Sequence, residues 1–182
     1  MPPATSRPAP DLRLDEASRF ARAILPAVSR TFALSIRVLP GALGQAVTCA
    51  YLLCRIADTI EDEPRMPAAV KATLFDGFLS CFDDPAQADA FPSQTGSMTG
   101  DAAHLRLIRH TDLVFVMFRH LPPTTQDHVR TWVAEMATGM RKFVLLYPDG
   151  IRIQSLEEYR DYGDYVAGTV GYMLTDLWHE HA

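Results

Sequence analysis

The chain has 182 residues, a formal net charge of -5, 48% hydrophobic residues and 21% charged residues. That is long enough for one domain with a buried core and too apolar for intrinsic disorder. The acidic balance gives no general electrostatic footprint for nucleic acid, so nucleic acid is not expected as a partner.

Residues 1–14 read as a disordered, proline-rich lead without the apolar run of a signal peptide. From there the apolar spacing is helical, and strand-type alternation closed by Asn-Gly or Asp-Gly turns is not apparent. The expected fold is all-α. Helices are predicted near 15–39 (broken or bent around Pro26 and Ser29-Arg30), 42–63, 67–82, 101–120, 124–146 and 155–180. Pro40-Gly41 separates the first two, and Pro64 with Pro67 closes the second. Residues 83–100, rich in Pro, Ser, Gly and Ala, read as a mobile surface loop. Ser155 with Glu158 makes a capping box before the last helix, and Thr124 with Asp127 a weaker one. Tyr147-Pro148-Asp149-Gly150 reads as a turn. Ala46 to Cys54, the longest apolar stretch, falls well short of the roughly 20 residues a membrane span needs. Cys49, Cys54 and Cys81 form no Cys-x-x-Cys pair and fit a reduced cytoplasm. The chain is therefore expected to be cytoplasmic, with peripheral membrane association through its substrate as an option.

On the second predicted helix, Tyr51, Arg55, Asp58 and Asp62 fall within an arc of about 60°. Leu53, Ile56, Ala57 and Ile60 take the opposite, core-facing side. Short carboxylates one turn apart suit magnesium, which joins one or two carboxylates to substrate phosphate oxygens and keeps waters elsewhere. Glu61 lies off the central line, within reach of a bound water or further ion. Arg55 is placed to donate to phosphate or to neutralise the carboxylates. The plain alternative is a helix face on which Arg55 pairs with Asp58 or Asp62, contributing only about 0.3–0.5 kcal/mol. From spacing alone that alternative is preferred.

Three blocks in order change the balance: Ser29-Arg30-Thr31-Phe32; Tyr51-x-x-x-Arg55-x-x-Asp58-x-x-Glu61-Asp62; and Tyr162-x-x-Tyr165-Val-Ala-Gly168-Thr-Val-Gly171. Together they resemble the squalene and phytoene synthase family, from about Ser29 through Trp178. The resemblance implies an isoprenoid-synthase-type helical bundle. It also implies head-to-head condensation of two prenyl diphosphates, with farnesyl diphosphate going to presqualene diphosphate and squalene. The alternatives are phytoene synthesis from geranylgeranyl diphosphate and a noncatalytic helical binding subunit. Carried over residue by residue, Asp58, Glu61 and Asp62 would hold Mg2+. Ser29, Arg30, Arg55, Tyr165 and Gly168 would bind substrate, and Tyr51 and Tyr162 would line the reacting end. NADPH would be needed only for squalene.

Gly168 and Gly171 are expected to admit a neighbouring helix, and the face with Tyr162, Tyr165, Thr169, Met173 and Asp176 to line the substrate. Met140 and Phe143 read as core or pocket lining, and His179-Glu180-His181 as a frayed, solvated end. Family members carry a second aspartate-rich helix downstream of the Val-Ala-Gly block, which this sequence does not reach. The domain over 15–182 is therefore expected to be truncated before its C-terminal helices. Self-association or a complementary C-terminal half would complete the bundle.

Overall fold

The computed structural model describes residues 10–29 and 31–181. Its elements are α1 (Pro10–Val28), α2 (Phe32–Arg37), α3 (Gly41–Glu61), α4 (Ala68–Ser80), α5 (Pro85–Gln94), α6 (Ala102–Ile108), α7 (Thr111–Arg119), α8 (Pro123–Leu146), α9 (Leu156–Gly163), a π-helical segment (Asp164–Gly168) and α10 (Thr169–His181). No strand occurs among the described residues, as the 3.6-residue periodicity predicts.

The fold is built around α3. Its Ala46, Cys49, Leu52, Leu53, Ile56, Ala57 and Ile60 are all 0% exposed, so burial reaches well beyond the single stripe of a surface helix. Helices α1, α6, α7 and α8 pack around it, and α10 lies against both α3 and α8. A second apolar centre joins α4, α5 and α7, where Phe75, Phe78, Phe91 and Phe115 are fully buried. The Phe82 and Phe115 rings meet edge-on at 5.0 Å. Burying each such ring contributes about 1.5–3 kcal/mol.

Several predicted boundaries need correction. Helix α1 begins at Pro10, inside the segment predicted as lead, and residues 1–9 lie outside the described residues. It runs through Pro26, so the chain turns only after Val28. The predicted loop over 83–100 contains α5. Asp84 caps that helix by accepting from the Ala86 N–H at 2.8 Å, and Pro85 occupies its first turn, where a missing N–H is harmless. Composition pointed to a loop, whereas Asp-Pro is a helix start. The helix predicted over 101–120 is two helices, divided at Arg109-His110. Helix α8 starts at Pro123 with no side-chain cap, so Thr124 and Asp127 do not form the second box. The Ser155 box does form in part: Ser155 Oγ accepts from the Glu158 N–H at 3.1 Å, while the Glu158 carboxylate accepts from the N–H of Gln154 instead of Ser155.

Candidate active site

Val28 ends α1, and its carbonyl is one of those a helix terminus leaves without an intrahelical donor. Two residues of α3 satisfy it: the Tyr51 hydroxyl donates at 3.2 Å and Arg55 Nε at 3.3 Å. Arg55 Nη1 also donates to Asp58 Oδ2 at 3.0 Å. The i,i+3 ion pair expected from spacing is thus real, and it is tied to the junction that carries Ser29. Ser29 is 3% exposed, and its Oγ is buried with no partner.

One turn on, the acidic residues separate in character. Burial pushes the Asp58 carboxyl up to about 6; the Arg55 charge opposes this, and Asp62 reinforces it. Glu61 is pushed up to about 7, again chiefly by burial, with the Tyr162 hydrogen bond pulling down, Asp62 and Asp58 pushing up and Lys71 pulling down. The Tyr162 hydroxyl donates to Glu61 Oε2 at 3.1 Å, and Glu61 Oε1 is buried without a partner. Burial and the neighbouring Glu61 raise the Tyr162 hydroxyl in turn. Asp62 is exposed at the end of α3, where its N–H donates to the Asp58 carbonyl at 2.8 Å. Lys71 of α4 donates to the Glu61 carbonyl and so caps the last turn of α3.

Crowded, partly dehydrated carboxylates favour a proton or a cation. Among the described residues no group of three or more His, Cys, Asp or Glu converges as a metal cage. Asp58, Glu61 and Asp62 present oxygens from one helix only. Such a face suits a magnesium ion that keeps several waters and shares a substrate phosphate, and the orphaned Glu61 Oε1 leaves an acceptor for one of those waters.

Beside this face lies a largely apolar cavity of about 600 Å³. Along α3 its lining runs from Asp58 and Arg55 through Cys54, Tyr51 and Ala50 to Val47; the opposite wall runs from Val166 and Ala167 through Val170 and Leu174 to Trp178. Tyr162 meets Glu61, so the two walls are antiparallel and the acidic end is also the start of the π-helical segment. From Asp58 back to Val47 the helix extends roughly 16 Å at its 1.5 Å rise.

The structure therefore brings Tyr51, Arg55, Asp58, Glu61, Asp62 and Tyr162 into one neighbourhood, with Ser29 beside them. Arg30 lies outside the described residues. Tyr165 and Gly168 do not join the cavity lining. Tyr165 packs onto Gly139, where an added Cβ would collide with its ring, and edge-on to Phe143 at 6.4 Å. Gly168 faces the Asp164 carboxylate, and Gly171 has open space around it, so neither admits a neighbouring helix. The predicted face is also displaced. Ala167, Leu174 and Trp178 line the cavity together with Met173, because the π-helical turn adds a residue and shifts the wheel. Met140 and Phe143 are core, each 1% exposed. The predicted frayed end is not free: Thr125 Oγ1 donates to Glu180 Oε1 at 2.6 Å.

Sequence reasoning missed Glu63, which is 3% exposed although it follows Glu61-Asp62 directly. Its carboxylate accepts from the Thr99 N–H at 2.6 Å, the Thr99 hydroxyl at 2.9 Å and the Arg65 N–H at 3.1 Å. It pins the end of α3 to the chain leading into α6. Lys71 was missed likewise, since only tertiary packing reveals its partner, as it alone reveals the Tyr165 ring against Gly139.

A helical bundle with this topology is an all-α isoprenoid synthase fold. A structure of TcSQS with the ligand BPH1237 superimposes with a TM-score of 0.79 at 29% identity, covering 92% of this chain and 46% of that one. The sequence model for squalene/phytoene synthase matches residues 25–182, and the chain belongs to that family. It is 31% identical over 160 residues to a squalene synthase of Solanum lycopersicum, covering 88% of this chain and 36% of that protein. It is 32% identical over 165 residues to squalene synthase BSS of Botryococcus braunii, covering 90% and 33%. The chain thus spans about a third of the length of these curated relatives. No described helix is long and apolar enough to cross a membrane.

Proposed function

We propose that the chain carries one diphosphate-binding face and part of the prenyl cavity of a head-to-head prenyl diphosphate condensing enzyme. Its substrate is farnesyl diphosphate, and its products are presqualene diphosphate and squalene. The observation that carries this reading is the joining of two surfaces of opposite character. Asp58 and Arg55 line one end of a largely apolar cavity, and Glu61 and Asp62 follow them at the end of the same helix. That the named relatives are squalene synthases supports the farnesyl reading over a longer prenyl chain.

Asp58 and Asp62 would hold magnesium, with Glu61 in support. When bound, the ion supplies charge stabilisation for the departing diphosphate. Arg55 has five N–H donors and spends one on Val28 and one on Asp58, which leaves others for phosphate oxygens. Tyr162 orients the Glu61 carboxylate through its hydroxyl. The walls formed by Val166, Val170 and Met173 exclude water from the allylic cation left when the carbon–oxygen bond breaks, and Tyr51 offers that cation an aromatic face. NADPH belongs to the squalene step, and no residue of this chain is assigned to it.

Calorimetric titration of the chain with farnesyl thiodiphosphate tests this reading. Saturable binding is expected only with magnesium present, and Asp58→Ala or Asp62→Ala should weaken it at least tenfold with an unchanged circular dichroism spectrum. A folded wild-type chain that shows no magnesium-dependent binding overturns the reading.

A further inference from the structure

Asp62 is the residue at which α3 stops. Its N–H still donates to the Asp58 carbonyl, and its backbone, with φ -75° and ψ -6°, closes the last turn. Helix ends fray, because their terminal carbonyls have no intrahelical donor. The direction of the Asp62 carboxylate therefore depends on what fixes the chain on either side of it. On one side Lys71 of α4 donates to the Glu61 carbonyl. On the other, buried Glu63 accepts from the Arg65 N–H and the Thr99 hydroxyl through Oε1, and from the Thr99 N–H through Oε2.

The partner of Glu63 is itself held in place, 36 positions further along the chain. Thr99 follows Met98, which is buried in the core. Two residues on, Asp101 caps α6 by accepting from the N–H groups of Ala103 and His104. Gly100 joins these two anchors with φ +142°, a conformation that a side chain would strain. A carboxylate costs free energy to bury unless it is hydrogen-bonded, and an apolar side chain at position 63 would be buried more cheaply. Such a side chain could not hold the exit of α3 by three hydrogen bonds.

We propose that Glu63 is a positioning residue for the acidic face: by clamping the exit of α3 to Thr99 it holds the Asp62 carboxylate one turn beyond Asp58, in register for a shared cation. The inference rests on the reading of Asp58 and Asp62 as the magnesium-holding pair. It adds a residue that touches neither the ion nor the substrate and acts through the backbone of its neighbour. Residues that orient metal ligands from outside the coordination sphere are worth about 10–100-fold in metal affinity. Lys71 and Glu63 tie the two sides of Asp62 to different elements, α4 and the chain before α6, so the loss of either clamp frees one side only.

Glu63→Gln keeps the shape of the side chain but turns an NH2 group toward groups that donate to Glu63. The test titrates the full chain with inorganic diphosphate at stepped magnesium concentrations. Half-saturation by magnesium should move up at least tenfold in Glu63→Gln. Binding of farnesol, which carries no diphosphate and reports the apolar cavity, should stay at the wild-type level. Thr99→Val removes the hydroxyl and keeps the N–H, so it should move the magnesium midpoint in the same direction by less. It decides the question if Glu63→Gln does not fold. Asp84→Ala, which removes the cap of α5, lowers stability without touching the exit of α3 and should leave the midpoint where it is. A midpoint unchanged in the folded Glu63 and Thr99 variants, or a loss of farnesol binding equal to the loss of diphosphate binding, overturns the proposal and leaves the magnesium reading standing. A folded wild-type chain that binds no diphosphate with magnesium overturns both.

Discussion

Tyr162 and Glu61 are 101 positions apart in sequence, and the Tyr162 hydroxyl donates to Glu61 Oε2 at 3.1 Å. The bond links α9 to the last turn of α3 and stabilises the ionised form of a carboxyl that burial holds at about 7. Tyr162→Phe leaves the Glu61 carboxylate without that donor and should raise its titration further. Because the shift is upward, Glu61 favours the fold more when protonated, and the variant should lose more stability above neutral pH than below it. We expect a loss of about 1–3 kcal/mol at alkaline pH, measured by urea denaturation across pH. A constant difference between the proteins at all pH values would show that the bond does not act through Glu61.

Glu63 behaves in the opposite sense. Burial alone would push its carboxyl up, yet the N–H and hydroxyl of Thr99, the Arg65 N–H and the nearby Lys71 together hold it below the usual carboxylate range. A lowered folded-state pKa stabilises the fold above the unfolded value of about 4.3, and that contribution is lost as pH falls through the lower folded value. Glu63→Ala strands two backbone N–H groups and should destabilise the chain by about 2 kcal/mol at neutral pH. The gap to wild type should close in acid, as thermal melts at stepped pH would show. A gap that widens in acid would contradict the sign.

The fate of these two carboxylates shows what the sequence could reveal. The helical periodicity, the polar stripe of α3 and the Pro and Ser boundaries are local signals, and all three appear in the fold. Glu61, Asp62 and Glu63 are adjacent and chemically alike, however, and only the third dimension gives one a tyrosine, one solvent and one the N–H and hydroxyl of Thr99. The same holds for the Val-Ala-Gly block. A regular helical wheel put its tyrosines toward the substrate, but the π-helical turn over Asp164–Gly168 shifts the phase and brings Ala167 to the cavity. Asp84-Pro85, by contrast, was a legible helix start hidden by the Pro, Ser and Gly around it.

Gly139 is where α8 admits the Tyr165 ring, and an added Cβ would fall inside van der Waals contact with the Cβ and Cγ of that tyrosine. Those atoms sit near the backbone and cannot swing aside as a flexible tip would. Gly139→Ala should therefore destabilise by about 1–3 kcal/mol, against the modest gain in helix propensity that alanine brings. Combining it with Tyr165→Ala should recover part of that loss. A double-mutant cycle in urea would measure the coupling, and strictly additive effects would contradict the predicted collision.

Ala167 offers the most direct test of the cavity as a prenyl site. It is exposed, unlike the packed residues around it, and it lines the cavity from the π-helical segment. A larger side chain there occupies open space instead of compressing the core. Ala167→Phe should leave the melting temperature within a few degrees of wild type, since surface-facing changes are usually within about 0.5 kcal/mol. The phenyl ring would obstruct the apolar cavity, while Asp58 and Arg55 would remain to meet the diphosphate of the proposed substrate. Binding of farnesyl thiodiphosphate should weaken at least tenfold, while inorganic diphosphate with magnesium should bind as before. Equal losses for both ligands would mean that Ala167 acts on the acidic end and that the prenyl chain lies elsewhere.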